Sequence, residues 1–154
     1  GKYYTEGHRK CGIVTDPLRS KAQKRICPEC GKPLTSGVLQ RVEALADRDS
    51  PADPYPDIRY ESLIPLKEIL SECLDRGKNT KSVQRLYDTI LLRLGSELFV
   101  LRKASLKEIE RAADTRVAIA IQHMRSGQVQ IEPGYDGKYG TVKTLCAEKT
   151  ADTV

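Results

Sequence analysis

The chain has no tryptophan, one phenylalanine and one methionine, and aromatic side chains make up only 5% of its 154 residues. Large aromatic groups carry much of the burial in small proteins, so any core here must rest on Leu, Ile and Val. Histidine is almost as scarce, with His8 and His123 alone. That leaves no His/Asp cluster of the kind that holds a catalytic metal, and there is neither a Gly-x-Ser-x-Gly elbow nor a phosphate-binding loop. A chain without turnover of its own is expected. No apolar run approaches the roughly 20 residues that span a bilayer, and no secretory signal is present. A cytoplasmic protein without membrane contact is expected. Position 1 is Gly1, not methionine, so the chain reads as a fragment or processed product whose parent carries further chemistry elsewhere.

What is present is a set of metal ligands. His8-x2-Cys11 is followed, after a spacer of fifteen residues, by Cys27-Pro28-Glu29-Cys30-Gly31-Lys32. Two pairs with this internal spacing form two tight knuckles that aim four side chains at one point, about 2.3 Å from each sulfur, the geometry of a structural zinc site. Gly12 and Gly31 follow the second ligand of each pair and allow the sharp turn there. Four protein ligands close the coordination shell, which makes the expected zinc structural and not catalytic. The alternatives are ordinary buried cysteines with a surface histidine, or a disulfide among Cys11, Cys27 and Cys30. The disulfide fits poorly, because five cysteines is an odd number and Cys73 falls within a helical pattern. Residues 1–35 also hold few large apolar side chains, chiefly Tyr3, Tyr4, Ile13, Val14, Leu18, Ile26 and Leu34. So small a segment usually needs a metal or disulfides to fold.

Charge is placed unevenly. Residues 1–48 hold ten Lys/Arg against five Asp/Glu, and residues 49–154 hold sixteen of each, so the whole net +5 lies in the first third. A compact basic module suits a polyanion, most plausibly nucleic acid; a solvated lysine-rich surface is the plainer alternative.

Periodicity divides the rest. Residues 1–47 form the zinc module, in which Ser36 can cap a short helix over 37–46 with Val38, Val42 and Leu45 on one face. Residues 48–58, rich in Pro and Asp, form a linker. Residues 59–146 read as a helical domain. Pro65 opens a helix whose apolar face is Leu66, Ile69, Leu70, Cys73 and Leu74, ended by Gly77. Thr80 caps a second, striped by Val83, Leu86, Tyr87, Ile90, Leu91 and Leu94 and stopped by Gly95. Ser105-x-x-Glu108 is a capping box for a third helix, and a fourth runs from about Thr115 to Arg125 and ends at Gly127. His123 on that fourth helix reads as a surface or packed residue, not a base. Ala113-Asp114 alone separates the last two helices, a spacing like a helix-hairpin-helix but lacking its glycines. Val129–Glu132 and Thr141–Leu145 can pair as strands around Pro133-Gly-Tyr-Asp-Gly-Lys-Tyr-Gly140. In that loop Tyr135 and Tyr139 can stack on bases and Lys138 can meet a phosphate, or the tyrosines can pack on the helices. Residues 147–154 read as a flexible tail. The expected fold class is α+β, mainly helical: a small Cys3His zinc-ribbon-like module, then a helical domain ending in a glycine-rich β-hairpin.

Gly7-His8-Arg-Lys-Cys11-Gly12, Ile26-Cys-Pro-Glu-Cys-Gly-Lys-Pro-Leu34, Gly37-Val38 with Arg41-Val42, Leu45-Ala-Asp47, Gly95-Ser-Glu97 and Pro133–Gly140 together resemble the C-terminal region of PHP-family phosphoesterases of the endonuclease Q type. The resemblance implies an N-terminal PHP catalytic domain with a His/Asp metal centre, absent from this chain, in a DNA-repair endonuclease that nicks beside deaminated bases. It further implies that this region helps grip a single strand or an extruded base. The resemblance carries Cys-x2-Cys in the first ligand pair; His8 departs from it and makes the site more acid-labile, since histidine binds metal only when neutral. Metal ligation is therefore expected at His8, Cys11, Cys27 and Cys30, and nucleic-acid contact at Arg9, Lys10, Arg25, Lys32, Arg41, Tyr135, Lys138 and Tyr139. The alternative reading is a zinc-stabilised protein-interaction module that docks on a catalytic domain or a replication or repair partner.

Overall fold

A computed structural model describes residues 4–48 and 60–146. The described residues fall into two units: 4–48 with Tyr60 and Ile131–Thr141, and Glu61–Gln130 with Val142–Cys146. The observed class is α+β and mainly helical, with seven helices and two small sheets among the described residues. Most of the expected linker, and all of the expected tail, lie outside the described residues.

The first unit opens with β1 (Glu6–His8) paired antiparallel to β2 (Ile13–Thr15), in the register Gly7↔Val14. A 3-10 turn over Arg9–Cys11 joins them and closes on Gly12 at φ 67°, a left-handed conformation that a Cβ disfavours. The first helix, α1 (Pro17–Ala22), was not foreseen. Its start is conventional: Asp16 accepts from the Arg19 amide at 2.9 Å and Pro17 occupies the first turn. The helix α2 (Val38–Leu45) falls where expected, but its cap is Gly37, with no side-chain bond from Ser36. Its predicted apolar face points to solvent, with Val38, Val42 and Leu45 at 57, 54 and 65% exposure.

Little is buried in this unit. Its buried apolar residues are Cys27, Leu34 and Tyr135, alongside a fully buried Glu6 and Ser20 whose side-chain oxygens have no hydrogen-bond partner. Unpaired buried polar atoms cost stability, so three buried apolar side chains cannot be the whole of what holds the unit together.

The second unit supports itself. Its helices are α3 (Leu66–Leu74), α4 (Lys81–Leu94), α5 (Glu97–Arg102), α6 (Leu106–Ala112) and α7 (Thr115–Arg125). They bury Leu66, Ile69, Leu70, Val83, Ile90, Val100, Ile109, Val117 and Ile121 in one core. Burying each such side chain contributes roughly 1.5–3 kcal/mol. The capping box at Ser105 and Glu108 is formed in both directions, and Gly95 and Gly127 end α4 and α7 as expected. α3 instead ends on Asp75, at φ 50°, two residues before Gly77. Thr80 holds the cap position of α4, but its hydroxyl donates to the Gly77 carbonyl, not to the helix.

Polar groups lock these helices end to side. Glu97, at the start of α5, accepts from the Leu66 amide at 2.7 Å and the Tyr87 hydroxyl at 2.8 Å, joining α3, α4 and α5. Arg125 donates to the carbonyls of Val100, Leu101 and Ala104, each at 2.8 Å, filling open acceptors at the end of α5. The segment after β4 is clasped too. Glu72 accepts from the Thr144 amide and hydroxyl and the Cys146 amide, and His123 Nδ1 meets the Thr144 carbonyl at 2.8 Å. Cys73 is disulfide-bonded to Cys146, with Cα atoms 5.5 Å apart. Cys73 was expected as an ordinary core residue, and the pairing had no sequence signal.

The strands β3 (Gln130–Glu132) and β4 (Thr141–Lys143) pair as expected. The glycine-rich loop between them, however, packs with the first unit, where the sequence reading attached it to the helices.

Candidate metal centre and adjoining surface

Among the described residues one cluster can hold a metal ion: His8, Cys11, Cys27 and Cys30, whose ligand atoms all lie within 4.8 Å of one another. β1 delivers His8 and the 3-10 turn delivers Cys11. The second knuckle is a tight turn in which the Gly31 amide donates to the Cys27 carbonyl at 2.9 Å and the Cys27 amide to the Lys32 carbonyl at 2.8 Å. Gly31 sits there at φ 68°.

Four donors gathered within 4.8 Å can close around one ion. Zinc–ligand bonds of about 2.3 Å to sulfur and 2.0–2.1 Å to nitrogen put tetrahedral neighbours about 3.6–3.8 Å apart. His8 Nδ1 and Cys30 Sγ stand 3.3 Å apart, close to that edge. The thiols agree with this reading. Burial pushes Cys27 up, but the amides of Cys30 and Glu29 and the His8 ring outweigh it and bring the thiol down to about 7. Burial, then hydrogen bonds that the Cys11 thiol makes to Cys30 and Cys27, push Cys11 up to about 11. The Cys11 thiol, pushed up beside its neighbours, ionises more readily with a cation next to it; a divalent ion supplies that charge.

The residues expected to meet nucleic acid separate by exposure. Arg9, Lys10, Arg25, Lys32, Arg41 and Lys138 are all exposed on this unit. Arg25 stands at φ 57° beside a shallow groove between α1 and α2 that Lys21, Gln40 and Glu43 also line. Tyr139 is 85% exposed. Tyr135 corrects the expectation: it is 6% exposed, its ring lies against Gly7, and Lys138 Nζ sits 5.8 Å over it, so it has no free face for a base.

Sequence reasoning missed Asp136. It holds φ 40° in the turn between Tyr135 and Lys138, and its carboxylate accepts from the Arg9 amide and the Thr35 hydroxyl, both at 2.6 Å. Those two donors, Thr35 first, hold the carboxyl below the ordinary aspartate value, with the charge of Arg9 adding to them. Nothing in the local sequence could announce partners 127 and 101 residues away.

Fold and site define a class: a Cys3His zinc-ribbon-like unit joined to a disulfide-clasped helical unit. Residues 65–128 match the family model of the MJ0043 C-terminal domain. The chain is 35% identical over 144 residues to the uncharacterized protein MJ0043 of Methanocaldococcus jannaschii, covering 92% of this chain and 18% of that protein. It is 31% identical to the uncharacterized protein YqxK of Bacillus subtilis, covering 93% of this chain and 33% of that protein. Among solved structures it is similar to the lesion-specific endonuclease PfuEndoQ of Pyrococcus furiosus, with TM-score 0.80 and 31% identity over 97% of this chain and 38% of that one. Endonuclease Q bound to a 27-mer duplex with an abasic lesion gives TM-score 0.73 at 31% identity, over 99% of this chain and 39% of that one. The chain is thus similar, over nearly its whole length, to a part of endonuclease Q, as a C-terminal part of an endonuclease Q-like protein would be. It spans only about a fifth to two fifths of the proteins it matches. Among the described residues no helix is long and apolar enough to cross a membrane.

Proposed function

We propose that this chain is the nucleic-acid-gripping accessory region of a PHP-type DNA-repair endonuclease that acts on deaminated bases, with a structural zinc at His8, Cys11, Cys27 and Cys30. The observation that carries this reading is the likeness, over 97% of the chain, to a lesion-specific endonuclease. The localised charge supports it. The metal closes four ligands and supplies rigidity, not a reactive water. Arg9, Lys10, Arg25, Lys32, Arg41 and Lys138 neutralise phosphates, and Tyr139 stacks on an unpaired base. The cleaving centre belongs to an N-terminal PHP domain of the same protein, and the chain itself has no turnover.

The test is fluorescence anisotropy of the zinc-loaded chain with labelled single strands carrying uracil or thymine at one site, across a salt series. Binding that weakens with salt and prefers uracil supports base recognition here, and salt-sensitive binding without preference supports a strand clamp. Tyr139→Ala lowers affinity by about 1–3 kcal/mol if that ring stacks, with the melting curve unchanged. Absence of binding at low salt overturns the proposal. It favours the second reading, a protein-docking module, which the exposed apolar face of Val38, Val42 and Leu45 supports.

A further inference from the structure

Pro133–Gly140 lies more than a hundred residues beyond the metal ligands, yet it is built into their unit. The loop is a tight turn in which the backbones of Tyr135 and Lys138 exchange both hydrogen bonds, at 2.9 and 2.7 Å. Asp136 stands within it. Its Oδ2 accepts from the Arg9 amide, and Arg9 is the residue after His8, at the start of the 3-10 turn that leads to Cys11. Its Oδ1 accepts from the Thr35 hydroxyl. Thr35 follows the second knuckle, and its backbone exchanges two hydrogen bonds with Gly7, at 3.2 and 2.8 Å. One carboxylate therefore spans the chain on both sides of the metal centre. Two further anchors meet β1 and the residue before it: the Gly134 carbonyl accepts from the Thr5 hydroxyl at 2.9 Å, and Tyr135 covers Gly7.

We propose that Asp136 is a positioning residue that latches the Pro133–Gly140 loop to the Cys3His centre, so that metal occupancy sets the order of the loop carrying Lys138 and Tyr139. The metal fixes the His8–Cys11 turn and so fixes where the Arg9 amide points. It likewise fixes the second knuckle, from which the chain runs to Thr35. With both donors held, one acid closes the loop; with the metal gone, the two donors no longer share a geometry it can reach at once. Coupling of this kind is reciprocal, so the latch strengthens metal binding by the factor by which metal orders the loop. Its consequence for nucleic acid rests on the proposed function, in which Lys138 and Tyr139 meet the strand; the latch itself does not.

The experiment uses the whole 154-residue chain with Asp136→Asn and Thr35→Val. Asparagine tolerates the left-handed backbone at this position, so Asp136→Asn removes the charge and one acceptor while keeping the turn. Zinc affinity is read by competition with a chromogenic chelator, and loop order by amide hydrogen exchange over 133–140. The expected result is zinc binding weakened about 10- to 100-fold in Asp136→Asn, with faster loop exchange even when zinc is bound and the knuckle amides stay protected. Thr35→Val shifts both readings the same way by less. Stripping zinc from the unaltered chain speeds exchange in the same loop. Unchanged zinc affinity with unchanged loop exchange in Asp136→Asn overturns the latch. A loop in the unaltered chain that is indifferent to zinc removal overturns it too. An unaltered chain that binds no zinc overturns the metal reading, and the latch with it. Absence of nucleic-acid binding by the unaltered, zinc-loaded chain, with the latch readings as expected, overturns the proposed function and leaves the latch standing.

Discussion

Reducing the Cys73–Cys146 bond should lower the melting temperature of the helical unit by roughly 12–24 °C without unfolding it at room temperature. The bond joins residues 73 apart in sequence. Constraint of the unfolded chain by a loop of that length is worth about 4.4 kcal/mol in the chain-entropy account, and measured disulfides usually give about 2–4. For a unit of this size each kcal/mol moves the midpoint by about 4–8 °C, so about 3 kcal/mol moves it by roughly 12–24 °C. What remains after reduction is substantial. Glu72 still accepts three hydrogen bonds from Thr144 and Cys146, His123 still meets Thr144, and the apolar core is untouched. The assay is thermal melting by far-ultraviolet circular dichroism, oxidised against reduced, with zinc restored after reduction so that only one variable changes. Intact mass and peptide mapping verify the bond, and Cys146→Ser serves as the control whose midpoint ignores reductant. Oxidised and reduced proteins melting within about 2 °C of each other, with the bond verified, would refute the reasoning.

Cys27→Ser removes a thiolate ligand and should unfold the first unit while leaving the helical unit's melt in place, because apparent metal binding of about 10–16 kcal/mol far exceeds the burial available there; a zinc-retaining variant with an unchanged melt contradicts the site. Gly7→Ala should destabilise the first unit by about 1–3 kcal/mol, since its Cβ would collide with the Ile13 carbonyl oxygen and the Tyr135 ring; increased exposure of Tyr135, read by its absorbance, checks the cause. Asp114 caps α7 by accepting from the Val117 amide and the Arg116 guanidinium, each at 3.0 Å. Burial pushes its carboxyl up, but these partners outweigh it and hold the carboxyl below the ordinary value. A lowered folded value means that the contribution is full above about pH 4, the unfolded aspartate range, and is lost as pH falls through the folded value. Asp114→Ala should cost about 1 kcal/mol at pH 7 and flatten the acid limb of the melting profile; an acid limb identical to that of the unaltered chain counts against the assignment.

Legibility followed the range of the interactions. The knuckles were readable because each pair of ligands is local and its turn needs a glycine with positive φ just after it, as Gly12 and Gly31 show. The helices of the second unit were readable from their stripes, and the Ser105–Glu108 box from its own spacing. Two short helices were missed. α1 and α5 span six residues each, too few for an apolar period to show, though Asp16-Pro17 and Ser96 were capping signals in plain sight. The shared face of Val38, Val42 and Leu45 on α2 was legible, but its exposure was not, because periodicity tells which residues share a face and not whether anything covers it. Asp136, the Cys73–Cys146 bond and Tyr135 against Gly7 depend on contacts across 73 residues or more. No local pattern encodes those.

The two units solve the same problem by different means, and this bears on where the proposed contact residues lie. The helical unit buries a full aliphatic core and fastens the segment after β4 with a carboxylate, a histidine and a disulfide. The first unit has three buried apolar residues, and unpaired buried oxygens on Glu6 and Ser20. Its four candidate ligands gather within 4.8 Å of one another, and a loop returns against the turn that carries two of them. Such a unit can spend its surface on charge, because its surface is not needed to shield a core; the chain's excess of Lys and Arg falls there. The same economy makes it the vulnerable half. Under the proposed zinc reading, the exposed cations of this unit and the ring of Tyr139 rest on a scaffold of four metal ligands and one aspartate.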